Sequence, residues 1–84
     1  MSRVLIVDDE ASICWAFGEF LGDLGHEVAV ASSAEEGLDA ARSGPFDAVV
    51  LDVRLPGMDG LAAMGAFRES LGDAPIIIVT AFGS

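Results

Sequence analysis

The chain lacks several kinds of residue, and each absence narrows its possible functions. It contains no lysine and no tyrosine, and a single cysteine and a single tryptophan among 84 residues. One cysteine excludes an internal disulfide and is compatible with a reducing compartment, so we expect a cytoplasmic protein. The chain has four basic residues, all arginines, and 14 acidic residues, which gives a formal net charge of −10. Such a chain lacks the cations that neutralise phosphates, so we expect no direct binding of nucleic acid.

Long apolar runs are also missing. The first apolar run is interrupted by Asp8, Asp9 and Glu10, so the N-terminus does not have the pattern of a signal peptide. No stretch approaches the roughly 20 apolar residues of a membrane span, and we expect no membrane partner. The length allows one domain, residues 1–84. An apolar fraction of 52% is high for a domain this small and indicates a core that is covered on two sides.

Two short apolar runs end in carboxylates. Residues 4–7 lead into Asp8 and Asp9, and residues 48–51 lead into Asp52. Short apolar runs between turn signals predict strands buried on both faces. The carboxyl ends of such strands are where an open parallel sheet binds its ligands. Three carboxylates at one sheet edge repel each other unless a cation is present, so the sequence predicts a cation site there.

The remaining periodicity predicts strands that alternate with helices. The predicted strands are Arg3–Val7, 26–30, about 46–51 and Ile76–Val79, and the predicted helices are 11–24, about 34–43 and Gly60–Leu71. The order βαβαβαβ predicts an α/β fold with a parallel sheet, right-handed crossovers and helices on both faces.

Oxygen ligands in this number suit Mg²⁺, and a carboxylate can attack phosphorus to form an aspartyl phosphate. The hydroxyl of Thr80, after the fourth predicted strand, would face the same edge. Simpler interpretations exist for each residue alone. Asp8 and Asp9 could be a solvated helix start, since acidic residues favour a first helical turn, and Asp52 could cap a turn. The three strand ends taken together favour a site.

Three motifs carry a family resemblance. VLIVDDE (4–10), VVLDVRLPGMDG (49–60) and PIIIVTA (75–81) closely resemble response-regulator receiver domains, the CheY-like phosphoacceptors of two-component signalling. SICW (12–15) and TAFGS (80–84) look most like the receivers of NtrC-type, sigma-54-dependent regulators. The resemblance implies a flavodoxin-like, three-layer fold with strand order 2-1-3-4. It also implies a signalling phosphoacceptor with only its own phosphotransfer and autohydrolysis chemistry, whose output is transcription.

The resemblance also implies a role for each site residue. Asp52 would be the phosphorylated nucleophile. Asp9 would bind Mg²⁺ directly, Asp8 would bind it through water, and Arg54 would contribute its backbone carbonyl. Thr80 would be the switch residue that contacts the phosphoryl group.

The implied partner is a histidine kinase or a phosphotransfer protein. Family receivers dock it at the start of the first helix, so Ile13 and Trp15 are candidate contact residues, together with Pro56 of the later turn. The alternative for Trp15 is a partly exposed aromatic that only covers neighbouring surface.

The chain departs from the family in lacking a lysine and an aromatic switch residue on a fifth strand. We therefore expect a C-terminally truncated receiver without the fourth helix, fifth strand and fifth helix. Such a chain should self-associate through the Ile76–Val79 edge or the first helix. The alternative is a non-phosphorylated interaction or oligomerisation fragment. A haloacid-dehalogenase-like phosphatase is disfavoured, because neither acidic motif matches the Asp-x-Asp signature of that family.

Overall fold

The computed structural model describes residues 2–52 and 60–79, which form four strands and three helices. The elements in chain order are β1 (Arg3–Val7), α1 (Ala11–Asp23), β2 (Glu27–Ala31), α2 (Ala34–Ser43), β3 (Ala48–Asp52), α3 (Gly60–Leu71) and β4 (Ile76–Val79). All strand pairs are parallel, and the order across the sheet is β2-β1-β3-β4. The predicted α/β class and strand order are confirmed. None of the helices in these ranges has the length and apolar character needed to cross a bilayer.

Two apolar clusters lie on opposite faces of the sheet. Leu5 and Val7 of β1 face α2 and α3, where they join the larger cluster around Phe67. Val4 and Ile6 of the same strand face α1 and pack with the smaller cluster. Successive side chains of a strand point to opposite faces, which explains this division. The core is therefore covered on two sides, in three layers.

The structure corrects the predicted starts of two strands. The prediction began the second strand at His26, but β2 starts at Glu27, and it began the third near Phe46, but β3 starts at Ala48. Both starts follow from the register of β1, in which Arg3 pairs with Glu27 and the following residue, Val4, pairs with Ala48. Phe46 precedes the strand and is buried in the larger cluster.

The first helix carries apolar residues at helical spacing, and this apolar stripe is only partly buried. Phe17 and Leu21 pack on the smaller cluster, whereas Phe20 and Leu24 remain 62% and 61% exposed. One helix buries a limited arc against a sheet, and the stripe is wider than that arc. The helix also ends at Asp23 rather than Leu24, and Gly25 follows with a φ of +90°, the backbone conformation that favours glycine after a helix.

The helix α2 begins with one half of a capping box, in which Ser33 is the N-cap residue. The backbone N–H of Glu36 donates to Ser33 Oγ at 3.1 Å. The Glu36 carboxylate accepts a hydrogen bond from Ser32 Oγ at 2.9 Å. This cap fixes the turn between β2 and α2, beside the carboxyl end of the sheet.

Candidate functional site

The carboxyl ends of β1 and β3 bring three carboxylates together. The two strands are direct neighbours, with Val7 paired to Leu51, so the residues that follow in each strand lie side by side. One carboxylate oxygen from each of Asp8, Asp9 and Asp52 lies within 4.8 Å of the others. The structure thus places these residues together, and their roles as metal ligands and phosphoacceptor stay predictions.

The backbone around Asp8 fixes this carboxylate. Its N–H donates to the Ala31 carbonyl at 3.1 Å, which extends the pairing with β2 by one residue. Its carbonyl oxygen accepts from Cys14 Sγ at 3.3 Å, and its Oδ1 accepts the N–H of Glu10 at 2.9 Å. The hydrogen bond from Glu10 thus holds the Asp8 carboxylate at the start of α1, where the residue is buried.

Burial differs among the three carboxylates. Asp8 and Asp52 are each only 6% exposed, whereas Asp9 is exposed. Burial raises the pKa of Asp8, and the negative charges of Asp52 and Asp9 raise it further, against the opposing hydrogen bond from Glu10. The site therefore holds a carboxylate whose charged form is disfavoured by its surroundings.

A hard divalent cation fits this donor set. The three ligand atoms are all carboxylate oxygens, the kind of ligand that Mg²⁺ prefers, and the exposed side at Asp9 leaves access for water and a further oxygen ligand. Burial is the main cause of the raised pKa of Asp8, and a cation bound there would compensate both the buried charge and the repulsion from Asp52 and Asp9.

The acidic cluster does not include the other predicted residues that the structure describes, and three predicted residues are not described. Arg54, Pro56 and Thr80 lie outside the described residues. Ile13 and Trp15 both lie in the first half of α1, where Ile13 is partly buried and Trp15 is 68% exposed.

Sequence reasoning missed a groove beside this site. A cavity of about 650 Å³ opens between α1 and β2 and includes Asp8 and Asp9 in its lining. Its floor lies where Gly18 faces Val28. The sequence feature that could have indicated the groove is Gly18 of α1 together with Val28 of the edge strand β2. These two residues can be connected only when it is known where the helix crosses the strand.

Comparison with known proteins identifies the family. The family model for the response regulator receiver domain matches residues 4–84. The chain is 39% identical over 79 residues to the transcriptional regulatory protein DltR of Streptococcus agalactiae, which covers 94% of this chain and 35% of DltR. It is 36% identical over 81 residues to the transcriptional regulatory protein ZraR of Escherichia coli, covering 96% of this chain and 18% of ZraR. The chain thus spans about a third or less of these relatives.

A similar solved structure is the response regulator protein TrrA of Thermotoga maritima in complex with Mg²⁺-BeF. It superposes with a TM-score of 0.88 at 41% identity, covering 99% of this chain and 72% of that one. TrrA has also been solved in complex with the histidine kinase ThkA, and that match has a TM-score of 0.87 at 40% identity, covering 100% of this chain and 72% of that one.

Proposed function

Because the chain belongs to the response regulator receiver domain family, we propose that it accepts a phosphoryl group on Asp52 in a two-component phosphorelay. The observation that carries this proposal is the convergence of Asp8, Asp9 and Asp52 within 4.8 Å. Two-component signalling is the role of the family; the acceptor residue and its metal dependence are the proposal.

The proposed step is a displacement at phosphorus. A carboxylate oxygen of Asp52 forms a bond to the phosphorus of a phosphohistidine, and the P–N bond breaks with its electron pair returning to the imidazole. Asp52 is 6% exposed at the end of a central strand, so the nucleophile is held by the sheet. The same site would later release phosphate by hydrolysis, and this is the only turnover expected of the domain.

Mg²⁺ would be held by Asp9 directly, by Asp8 through water, by Asp52 and by the backbone carbonyl of Arg54. When bound, it would neutralise the carboxylates and the charge on the transferring phosphoryl oxygens. The burial of Asp8 beside two other carboxylates supports this assignment, as does the complex of TrrA with Mg²⁺-BeF. The hydroxyl of Thr80 would donate to a phosphoryl oxygen as the switch.

The proposed partner is a histidine kinase or phosphotransfer protein, which the complex of TrrA with ThkA supports. It would dock at the start of α1, at Ile13 and Trp15, together with Pro56. The relatives DltR and ZraR are transcriptional regulatory proteins, so transcription is the proposed output, in the cytoplasm.

Intact-mass spectrometry with acetyl phosphate tests the proposal. We expect one phosphoryl adduct that requires Mg²⁺ and disappears in Asp52→Asn. Asp23→Asn, which removes an exposed carboxylate at the end of α1, should keep the adduct. An adduct that survives Asp52→Asn, or a folded wild-type chain that takes up no phosphoryl group, would overturn it.

We further propose that the 84-residue chain self-associates. Large apolar side chains are exposed on the α1 surface, formed by Phe20 of the helix and Leu24 directly after its end, and on β4, where Ile77 is exposed. A second copy of the chain would remove them from water, through the α1 surface or through pairing along the Ile76–Val79 edge.

A further inference from the structure

The groove between α1 and β2 has the dimensions of a small-molecule site. Its volume of about 650 Å³ lies within the range typical of ligand pockets, roughly 300–1,000 Å³. It exists because Gly18 has no side chain where α1 crosses β2. A Cβ built on Gly18 would meet only Val28 Cγ1, at 3.9 Å, so the space beside the strand is open.

Apolar side chains form most of the groove walls. Cys14 and Val28 line it from the two elements and pack in the smaller apolar cluster. Trp15 and Val30 stand at its sides, 68% and 51% exposed. The apolar surfaces of these two side chains are exposed to solvent, and a ligand with an aromatic or aliphatic body would bury them.

All charged residues among the described lining of the groove are acidic. Asp8, Asp9 and Glu19 line it, and none of its described lining residues is basic. Asp52, the proposed phosphoacceptor, is not among the lining residues. An anionic ligand would be repelled, whereas a cationic group could pair with the carboxylates and lie against the ring of Trp15.

We propose that this groove binds a small organic cation, an ammonium or amidinium group carried on an aromatic or aliphatic body. The body lies against Val28, Val30 and Trp15, and the charge lies beside the carboxylates. Because Asp8 and Asp9 belong to the groove and to the acidic cluster, the organic cation and a divalent metal weaken each other's binding by the same factor. The proposal does not depend on phosphorylation of Asp52.

Trp15 is the only tryptophan of the chain, so its fluorescence reports on the groove directly. The probes are benzylammonium, its neutral near-isostere benzyl alcohol, and the anion benzoate. We expect saturable binding of benzylammonium with a dissociation constant on the order of 1 mM, as suits a ligand this small. Benzyl alcohol should bind about fivefold more weakly, and benzoate should not bind measurably. Equal affinity for the alcohol and the ammonium, or no saturable change with benzylammonium, would overturn the proposal.

Two pairs of variants localise the binding. Gly18→Leu fills the groove and should weaken benzylammonium binding more than about tenfold, whereas Gly22→Leu, on the same helix with no atom within 4 Å of its Cβ position, should not. Glu19→Gln should weaken binding about threefold, and Asp23→Asn, an exposed carboxylate outside the groove, should have no effect. Equal effects within either pair would place the probe elsewhere and contradict the proposal.

Competition with Mg²⁺ tests the position of the cationic group. MgCl₂ should raise the apparent dissociation constant of benzylammonium above its value in NaCl of the same ionic strength. Amide chemical shifts of Cys14, Gly18 and Val28 should move on addition of benzylammonium. An effect of MgCl₂ no larger than that of NaCl, or shifts confined to other residues, would refute binding beside Asp8 and Asp9.

Discussion

Asp8 belongs both to the buried end of a strand and to the acidic cluster, so its environment depends directly on the fold. The sequence predicts which carboxylates lie near Asp8. If two apolar strands are adjacent and parallel, the acidic residues at their carboxyl ends lie side by side. The sequence does not predict its burial, since that depends on how α1 starts and on the hydrogen bond between Cys14 and the Asp8 carbonyl. The same contact places the only cysteine in the interior, with a thiol pKa raised mainly by burial.

Removing the charge of Asp8 should stabilise the metal-free protein. Asp8→Asn keeps an oxygen for the Glu10 N–H and removes a buried charge together with its repulsion from Asp52 and Asp9, so the free energy of unfolding should rise by about 1 kcal/mol. Mg²⁺ at ten times its dissociation constant should stabilise the wild type by about 1.4 kcal/mol and the variant by less. Urea denaturation with and without Mg²⁺ measures both. A metal-free variant less stable than the wild type, with Asp23→Asn unchanged, would contradict this account.

The raised pKa of Asp8 also predicts a pH dependence. Its pKa in the folded protein lies above the ordinary value of 3.8, so between these two values the folded state binds more protons than the unfolded state. The contribution of this group to stability is therefore full below the ordinary value and is lost as the pH rises through the raised pKa. In metal-free urea denaturation at a series of pH values, the stability advantage of Asp8→Asn should grow from acidic to neutral pH. If the stability advantage of Asp8→Asn shrinks from acidic to neutral pH, the pKa of Asp8 is not raised in the folded protein, and the prediction is wrong.

At the scale of the elements, periodicity predicts which segments form helices and strands but not which glycines are structurally required. Glycines in a helix often mark close packing, yet apart from the backbone of its own helix nothing lies within 4 Å of a Cβ at Gly22 of α1. Among the described glycines, Gly37 of α2 is tightly packed in the core, where a Cβ would lie 2.8 Å from a methyl carbon of Val7 and 2.9 Å from Phe67. This contact joins a helix, a strand and a second helix, so it depends on their relative placement and is invisible in a single window of sequence.

Gly37→Ala should consequently destabilise the protein even though alanine favours helices. The added methyl group must displace Val7 or Phe67 in a packed core, at a cost of about 1–3 kcal/mol. Gly22→Ala and Gly65→Ala, both exposed within helices, should instead stabilise by up to about 1 kcal/mol. Chemical denaturation of the three variants checks the contrast. A Gly37→Ala protein as stable as the other two would mean that α2 does not lie this close to the sheet.

At the scale of the whole molecule, the alternation of strands and helices predicts a parallel sheet covered on both faces. The order of the strands follows from the resemblance of the motifs to receiver domains and not from composition or periodicity. The sequence alone could not predict which of these apolar side chains remain exposed, because Phe20 and Leu24 share the helical spacing of the partly buried Phe17 and Leu21. The difference between the two pairs is that the sheet covers the side of α1 that carries Phe17 and Leu21 and does not cover Phe20 and Leu24.

These exposed side chains predict association of the 84-residue chain. The average mass by light scattering should exceed that of a monomer at tens of micromolar protein and fall on dilution. Phe20→Ser with Leu24→Ser tests the α1 surface, and Ile77→Thr tests β4. At least one of these changes should shift the average mass towards the monomer. A wild-type chain that stays monomeric at every concentration would refute the proposal.

The central claim is that the cluster at the carboxyl edge presents Asp52, and not another carboxylate, as the phosphoacceptor. The most direct test is to phosphorylate the chain with acetyl phosphate and Mg²⁺, reduce the acyl phosphate with borohydride, and locate the resulting homoserine by peptide sequencing in a mass spectrometer. The account predicts homoserine at position 52 alone, and none when Mg²⁺ is left out. Homoserine at Asp8 or Asp9, or a Mg²⁺-independent scatter over exposed carboxylates, would contradict it.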